Sequence, residues 1–139
     1  MFLSNYRKSY RKEEHGFFSC QYHIVFCTKY QRKLLDAAIS NRLEDIIRET
    51  ALVMNFSVIT MKINSNQVHL VIDCSPETGV INCVKKIKHT SAKKLKDEFP
   101  HLKVTVPSLW TRSTFISSAG DVDIDSIEEY IEEQKKKNI

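Results

Sequence analysis

Phe56-Ser-Val-Ile-Thr-Met-Lys-Ile63 and Val68-His-Leu-Val-Ile-Asp-Cys74 are two apolar-rich runs joined through Asn64, Ser65 and Asn66, with Gln67 entering the second run. The short polar side chains between them suit a tight turn, so residues 56–74 are predicted to form a β-hairpin, the start of an antiparallel sheet. Upstream, Phe17 to Thr28 places Phe18, Cys20, Tyr22, Ile24 and Phe26 at alternate positions. That period of two predicts one long half-buried strand, with Ser19, Gln21, His23 and Val25 on its other side. Between these segments, Ala37 to Met54 changes to helical spacing. Ile39, Leu43, Ile46, Ile47, Thr50 and Val53 form one stripe, and Arg42, Glu44, Asp45, Arg48 and Glu49 lie opposite.

Downstream, past Pro76 and Gly79, the stretch Val80 to Phe99 repeats the helical interval with Val80, Val84, Ile87, Ser91 and Leu95 among many lysines. Pro100 and Pro107 bracket a less regular connection to Trp110. Thr111 to Ser118 then alternates like a strand, and Gly120 ends it. Asp123 or Asp125 can cap a last helix from Ile124 to about Lys136, with Glu128 and Glu129 near its positive end and three lysines near its negative end. Strand, helix, hairpin, helix, strand, helix is an α+β order, which packs as an antiparallel sheet flanked by helices.

With 139 residues and no internal repeat or low-complexity linker, the chain is expected to form a single domain over residues 1–139. Residues 1–14 are expected to be a flexible basic segment. The net charge of +4 suits a polyanionic partner without requiring one. Cys20, Cys27, Cys74 and Cys83 lie in apolar runs and contain no C-x-x-C pair, which favours reduced core thiols. No apolar leader and no run of eighteen apolar residues is visible, so the expected place is the cytoplasm, away from any membrane.

Two small groups of residues carry chemical possibilities. In a strand, Gln67 and His69 project from the same face and can share one ion. On Asn66-Gln-Val-His-Leu70 alone, a hairpin strand with polar outward positions is the better reading. In the last helix, Tyr130 and Gln134 stand one turn apart on one face. A tyrosine hydroxyl attacks a phosphate more readily when a divalent cation polarises it, and an amide oxygen one turn away can help hold that cation. Taken alone, Tyr130 packing beside Ile127 and Ile131 is the more probable reading.

Four segments together resemble one family. Tyr22-His-Ile-Val-Phe-Cys-Thr-Lys-Tyr-Gln-Arg-Lys33, Gln67-Val-His-Leu70, Leu109-Trp-Thr-Arg-Ser-Thr-Phe-Ile116 and Tyr130-Ile-Glu-Glu-Gln134 are similar, in order and spacing, to the HUH single-tyrosine transposases of the insertion sequence 200/605 type. The resemblance implies a ferredoxin-like domain that dimerises, with the hairpin strand and the last helix forming the site. It implies Tyr130 as the nucleophile that cleaves and rejoins single-stranded DNA through a 5′-phosphotyrosine. It also implies Mg2+ or Mn2+ held by two histidines and a glutamine, of which one histidine falls on His69 and the glutamine on Gln134. The other histidine position is Gln67, and Asn66 stands where an acidic residue often precedes it. An amide oxygen suits a hard cation but is a poorer donor than imidazole toward manganese, so weaker metal binding is expected. Gln67 is compatible with an active enzyme with a variant ligand set, with a decayed or domesticated copy that still binds DNA, and with a deliberate replacement.

The DNA in this family has hairpin ends recognised mainly by shape. Lys29, Arg32 and Lys33 after the first strand, and Lys85, Lys86, Lys88, Lys93, Lys94 and Lys96 on the basic helix, are the expected phosphate contacts. Tyr6, Arg7, Lys8, Tyr10 and Arg11 mix charge and rings that can clamp unpaired bases, though a disordered tail accounts for them equally well. His23, His89 and His101 are assigned to packing or phosphate contact, Trp110 to the core, and no nucleotide cofactor is expected. A catalytically silent relative that only binds DNA hairpins is the alternative. An RNA-binding module shares the element order, but no K/R-G-F/Y-G/A-F-V-x-F/Y signature occurs on any predicted strand.

Overall fold

The computed structural model describes residues 11–13, 16–18, 20–119 and 124–137. Its hairpin consists of β4, Phe56–Ile63, and β5, Gln67–Cys74, closed by a bond from the Asn64 amide to the Gln67 carbonyl of 2.8 Å. β5 also pairs antiparallel with β3, Gln21–Cys27, and β3 pairs antiparallel with β6, Phe115–Ser118. The four-stranded order is therefore β4-β5-β3-β6. β3 neighbours β5 and β6 here although helices separate them in sequence, which puts those helices against the sheet.

One face carries the core. Ile24 and Phe26 of β3 and Val68, Leu70 and Ile72 of β5 are fully buried. They pack with Ile39, Leu43, Ile46 and Ile47 of α1, Ala37–Met54, and with Cys83, Ile87 and Leu95 of α2, Val80–Glu98. Burial of a Leu or Ile side chain stabilises by about 1.5–3 kcal/mol, so this layer dominates the fold. α1 begins where the Asp36 carboxylate accepts from the Ile39 amide at 2.9 Å and ends at Asn55, left-handed with φ 56°. α2 is entered through Gly79 at φ 80°, where a side chain would have space but a strained backbone. Arg42 of α1 reaches Glu98 of α2 at 2.7 Å, an exposed clasp over the buried seam.

Several expectations from the sequence are corrected. The strand expected over Phe17 to Thr28 is broken: β2, Gly16–Phe18, pairs instead with β1, Arg11–Glu13. Residues 11–13 are thus part of a strand pair and not of a loose segment, while Tyr6, Arg7, Lys8 and Tyr10 lie outside the described residues. Val53 does not extend the buried stripe of α1 but is 74% exposed. The chain leaves the helix at Asn55, and buried Phe56 takes the core position at that end. The connection after Pro100 contains a short helix, α3, His101–Thr105. The last strand begins only at Phe115, because the carbonyls of Thr111, Arg112 and Ser113 turn toward a lysine instead of a neighbouring strand. The last helix, α4, spans Ile124–Lys137, and the proposed capping residue Asp123 lies outside the described residues.

Candidate active site

The sheet face turned away from α1 and α2 carries the residues singled out for chemistry. Side chains alternate along a strand, so Gln67 and His69 of β5 share this face with His23, Val25 and Cys27 of β3 and with Phe115 of β6. Register fixes their places. Gln67 stands opposite Cys27, His69 opposite Val25, and Phe115 pairs with Val25 on its other side. His69, Val25 and Phe115 therefore form one row across the sheet. Val25 is 1% exposed at its centre.

α4 lies over the Phe115 end of that row. The Tyr130 ring is tilted 50° against Phe115 at 5.8 Å between centroids. Its hydroxyl donates to the Ser113 carbonyl at 3.3 Å and lies 3.2 Å from the Ser113 Oγ. Burial pushes the Tyr130 phenol above its usual 10, and the nearby Cys27 thiol adds to this, while the hydroxyls of Ser113 and Thr111 work against it. The phenol is therefore neutral at physiological pH. Gln134, one turn on, is almost wholly buried.

A strained turn anchors the helix. After β3 the chain makes a 3-10 turn, Lys29–Gln31, in which Tyr30 and Gln31 adopt φ of 59° and 48°. Left-handed conformations in residues with a Cβ cost about 1–2 kcal/mol each. The turn positions the Gln31 amide to donate to the Ile131 carbonyl of α4 at 3.3 Å. Thr28, fully buried, holds the start of the turn through its hydroxyl to Arg32 O at 2.7 Å.

His69 is not alone. His23 Nδ1 lies 3.3 Å from His69 Nε2, with both rings half-buried. Burial lowers the pKa of each, and the neighbouring His23 and Lys62 lower His69 further, so both rings are neutral near pH 7. Assigning His23 to packing or phosphate contact misses this neighbour. Its alternation onto the polar face was readable in the sequence, but the register that sets it beside His69 was not.

Among the expected DNA contacts, Lys85, Lys86 and Lys93 are exposed on α2, and Arg32 and Lys33 are exposed just after the 3-10 turn. Lys29 leans over the Tyr30 ring at 5.4 Å, Lys94 lies 3.7 Å from Glu49, and Lys96 donates to the Pro107 carbonyl at 3.2 Å. Lys88 departs from the expected role. Its ammonium turns inward and donates to Thr111 O at 2.7 Å, Ser113 O at 3.2 Å and Thr114 Oγ1 at 3.0 Å, with Arg112 O at 3.4 Å. Burial brings its pKa down to about 8. Trp110 is a core anchor as expected, edge-on to Phe26 at 4.8 Å and donating to Ser91 Oγ at 3.0 Å.

The chain is similar to known proteins over most of its length. The family described as Transposase IS200 like matches residues 16–134. The chain belongs to this family. The ISDra2 transposase TnpA of Deinococcus radiodurans is 30% identical to this IS200-like chain over 122 residues, 86% of it and 87% of the relative. The transposase of insertion sequence element IS200 from Salmonella typhimurium is 23% identical over 89% of this chain and 82% of its own. The crystal structure of a transposase from Deinococcus radiodurans R1 superposes with a TM-score of 0.82 at 27% identity, covering 89% of this chain and 97% of that one. A REP-associated tyrosine transposase bound to a REP hairpin shares the fold alone, at 10% identity and a TM-score of 0.56 over 90% of this chain and 66% of that one.

The expected ligand set is tested by the donors on the face. At the three positions carried over from the family stand one imidazole, His69, and two amides, Gln67 and Gln134. Among the described residues no group of three or more His, Cys, Asp or Glu side chains could hold a metal ion. A hard cation accepts amide oxygens, but these donors bring no charge to neutralise it. No helix among the described residues is long and apolar enough to cross a membrane.

Proposed function

We propose that this chain cleaves and rejoins single-stranded DNA at insertion-sequence ends, with Tyr130 as the nucleophile. The observation that carries the reading is Tyr130 itself, held by Phe115 and Ser113 on the same sheet side as His69. Its oxygen attacks a DNA phosphorus while the bond to the 3′ oxygen breaks. The phenolic proton is lost, the departing oxygen gains one, and the products are a 5′-phosphotyrosine and a free 3′-hydroxyl. Attack by a 3′-hydroxyl on that linkage reverses the exchange with one phosphodiester replacing another, so no external energy source is needed. Moving the Tyr130 hydroxyl out of its buried setting lowers the barrier to losing its proton.

His69 and Gln134, with Gln67 at the third position, would hold Mg2+ or Mn2+. Such an ion, when bound, polarises the scissile phosphate. The partner is single-stranded DNA with hairpin ends, and the working unit is a homodimer, on the strength of the family resemblance. The test is incubation with single-stranded DNA from the ends of its own element and Mg2+ or Mn2+, followed by denaturing electrophoresis. A covalent adduct that disappears in Tyr130→Phe, with affinity for DNA hairpins retained, is the expected result. An adduct that persists in the variant overturns the assignment. The absence of a second family histidine favours one other reading, a catalytically silent protein that binds DNA hairpins. That reading predicts no adduct, intact hairpin binding and cleavage restored by Gln67→His.

A further inference from the structure

On the open sheet face, His69 meets a second imidazole, that of His23. In the register of β3 against β5, His23 faces Val71 while His69 faces Val25, so the two histidines are diagonal neighbours. Their rings tilt 37° from one another with centroids 5.6 Å apart, and His23 Nδ1 lies 3.3 Å from His69 Nε2. Two imidazole nitrogens each about 2.1 Å from a shared ion stand about 3.0–3.4 Å apart at octahedral to tetrahedral angles. Gln67 lies on the other side of His69, opposite Cys27, so the His69 Nε2 that meets His23 turns away from it.

We propose that a divalent metal ion is held between His23 Nδ1 and His69 Nε2, so that His23 supplies the imidazole absent at Gln67. The purpose of that ion, though not its binding, rests on the reading of the chain as a metal-assisted transposase. Two imidazoles suit Mn2+, Co2+ and Zn2+ better than Mg2+, which favours oxygen donors. The half-buried rings leave open positions for water or a phosphate oxygen. Lys62, across from His69 on β4, is exposed, and its flexible stem lets the ammonium stay in solvent away from the ion.

The same 3.3 Å also fits a hydrogen bond in which His23 merely orients His69, and the experiment separates the two. Cobalt(II) is titrated into the full chain without DNA and followed by its d–d absorption and by calorimetry. The expected result is that His23→Ala weakens cobalt binding as severely as His69→Ala and far more than Gln67→Ala does. His23→Gln, whose amide oxygen can still accept a hydrogen bond from His69, fails to restore binding. Wild-type affinity in His23→Ala or His23→Gln overturns the proposal, as does a wild-type chain that takes up no cobalt. Should a histidine variant misfold, paramagnetic shifts of the His23 ring protons in the cobalt-loaded wild type decide, and unshifted protons refute the assignment. Because the titration contains no DNA, cobalt binding here together with no Tyr130 adduct in the separate DNA assay would remove the transposase reading and leave the ion site standing.

Discussion

Lys88 sits on the lysine-rich helix yet serves the interior. Its ammonium gathers the carbonyls of Thr111 and Ser113 and the Thr114 hydroxyl, and the same Ser113 carbonyl receives the Tyr130 hydroxyl. A single cation thus shapes the segment on which the nucleophile rests. Lys88→Met keeps the apolar stem and removes the donor, leaving buried oxygens without their partner at a cost of about 1–3 kcal/mol. Urea denaturation is expected to show that loss, and an unchanged midpoint would contradict the clamp. The titration has a defined sign. Lys88 releases its proton at about 8 in the native chain against 10.5 as the ordinary value. Between those values the unfolded chain holds more protons, so the penalty for burying the ammonium falls as pH rises. The stability of wild type relative to Lys88→Met is therefore expected to increase from pH 8 toward 10.5. A difference that stays flat across this window would refute it. Tyr130 titrates the other way: its raised pKa contributes stability that is present below about 10 and lost as pH rises through the native value.

α4 is held differently from α1 and α2. Those helices bury Ile and Leu side chains in the core, whereas α4 is fastened through Tyr130 to Phe115 and Ser113 and through Ile131 to Gln31. Fastenings made by single hydrogen bonds open locally at lower cost than a packed core, and the elements that move for function come from that class. Gln31→Asn tolerates the left-handed backbone but shortens the amide's reach to Ile131. Hydrogen exchange is expected to quicken in the amides of α4 in this variant while α1 and α2 keep their protection. Equal protection of α4 in both proteins would show that the turn is not its anchor. The strained pair Tyr30 and Gln31 belongs to this same fastening, which gives the strain a use at the tyrosine helix.

Among the described residues, the exposed cations expected to meet DNA include Lys85, Lys86 and Lys93 on α2 and Arg32 and Lys33 just after the 3-10 turn. If a DNA hairpin stem lies along α2, each lysine that meets a duplex phosphate contributes about 0.9 to the slope of log affinity against log salt. Replacing Lys85, Lys86 and Lys93 by glutamine is expected to reduce that slope by as much as about 2.7, measured with a DNA hairpin over a range of salt. An unchanged slope would move the stem elsewhere. The core strands, α1, α2, α4 and the α+β order were legible because apolar residues recur at periods of two and 3.6, a local property of the chain. The resemblance singled out Tyr130, His69, Gln67 and Gln134 as the expected site residues without any coordinates. Arg11–Glu13 pairing with Gly16–Phe18, the late start of β6 and the inward turn of Lys88 were not legible. Each depends on which distant backbone group competes for a hydrogen bond. What sequence alone determined here is the main elements and the faces that their apolar residues share. Only the tertiary structure decided that His23 stands beside His69, because a diagonal contact between strands depends on register, and register is fixed by the packing of the whole sheet.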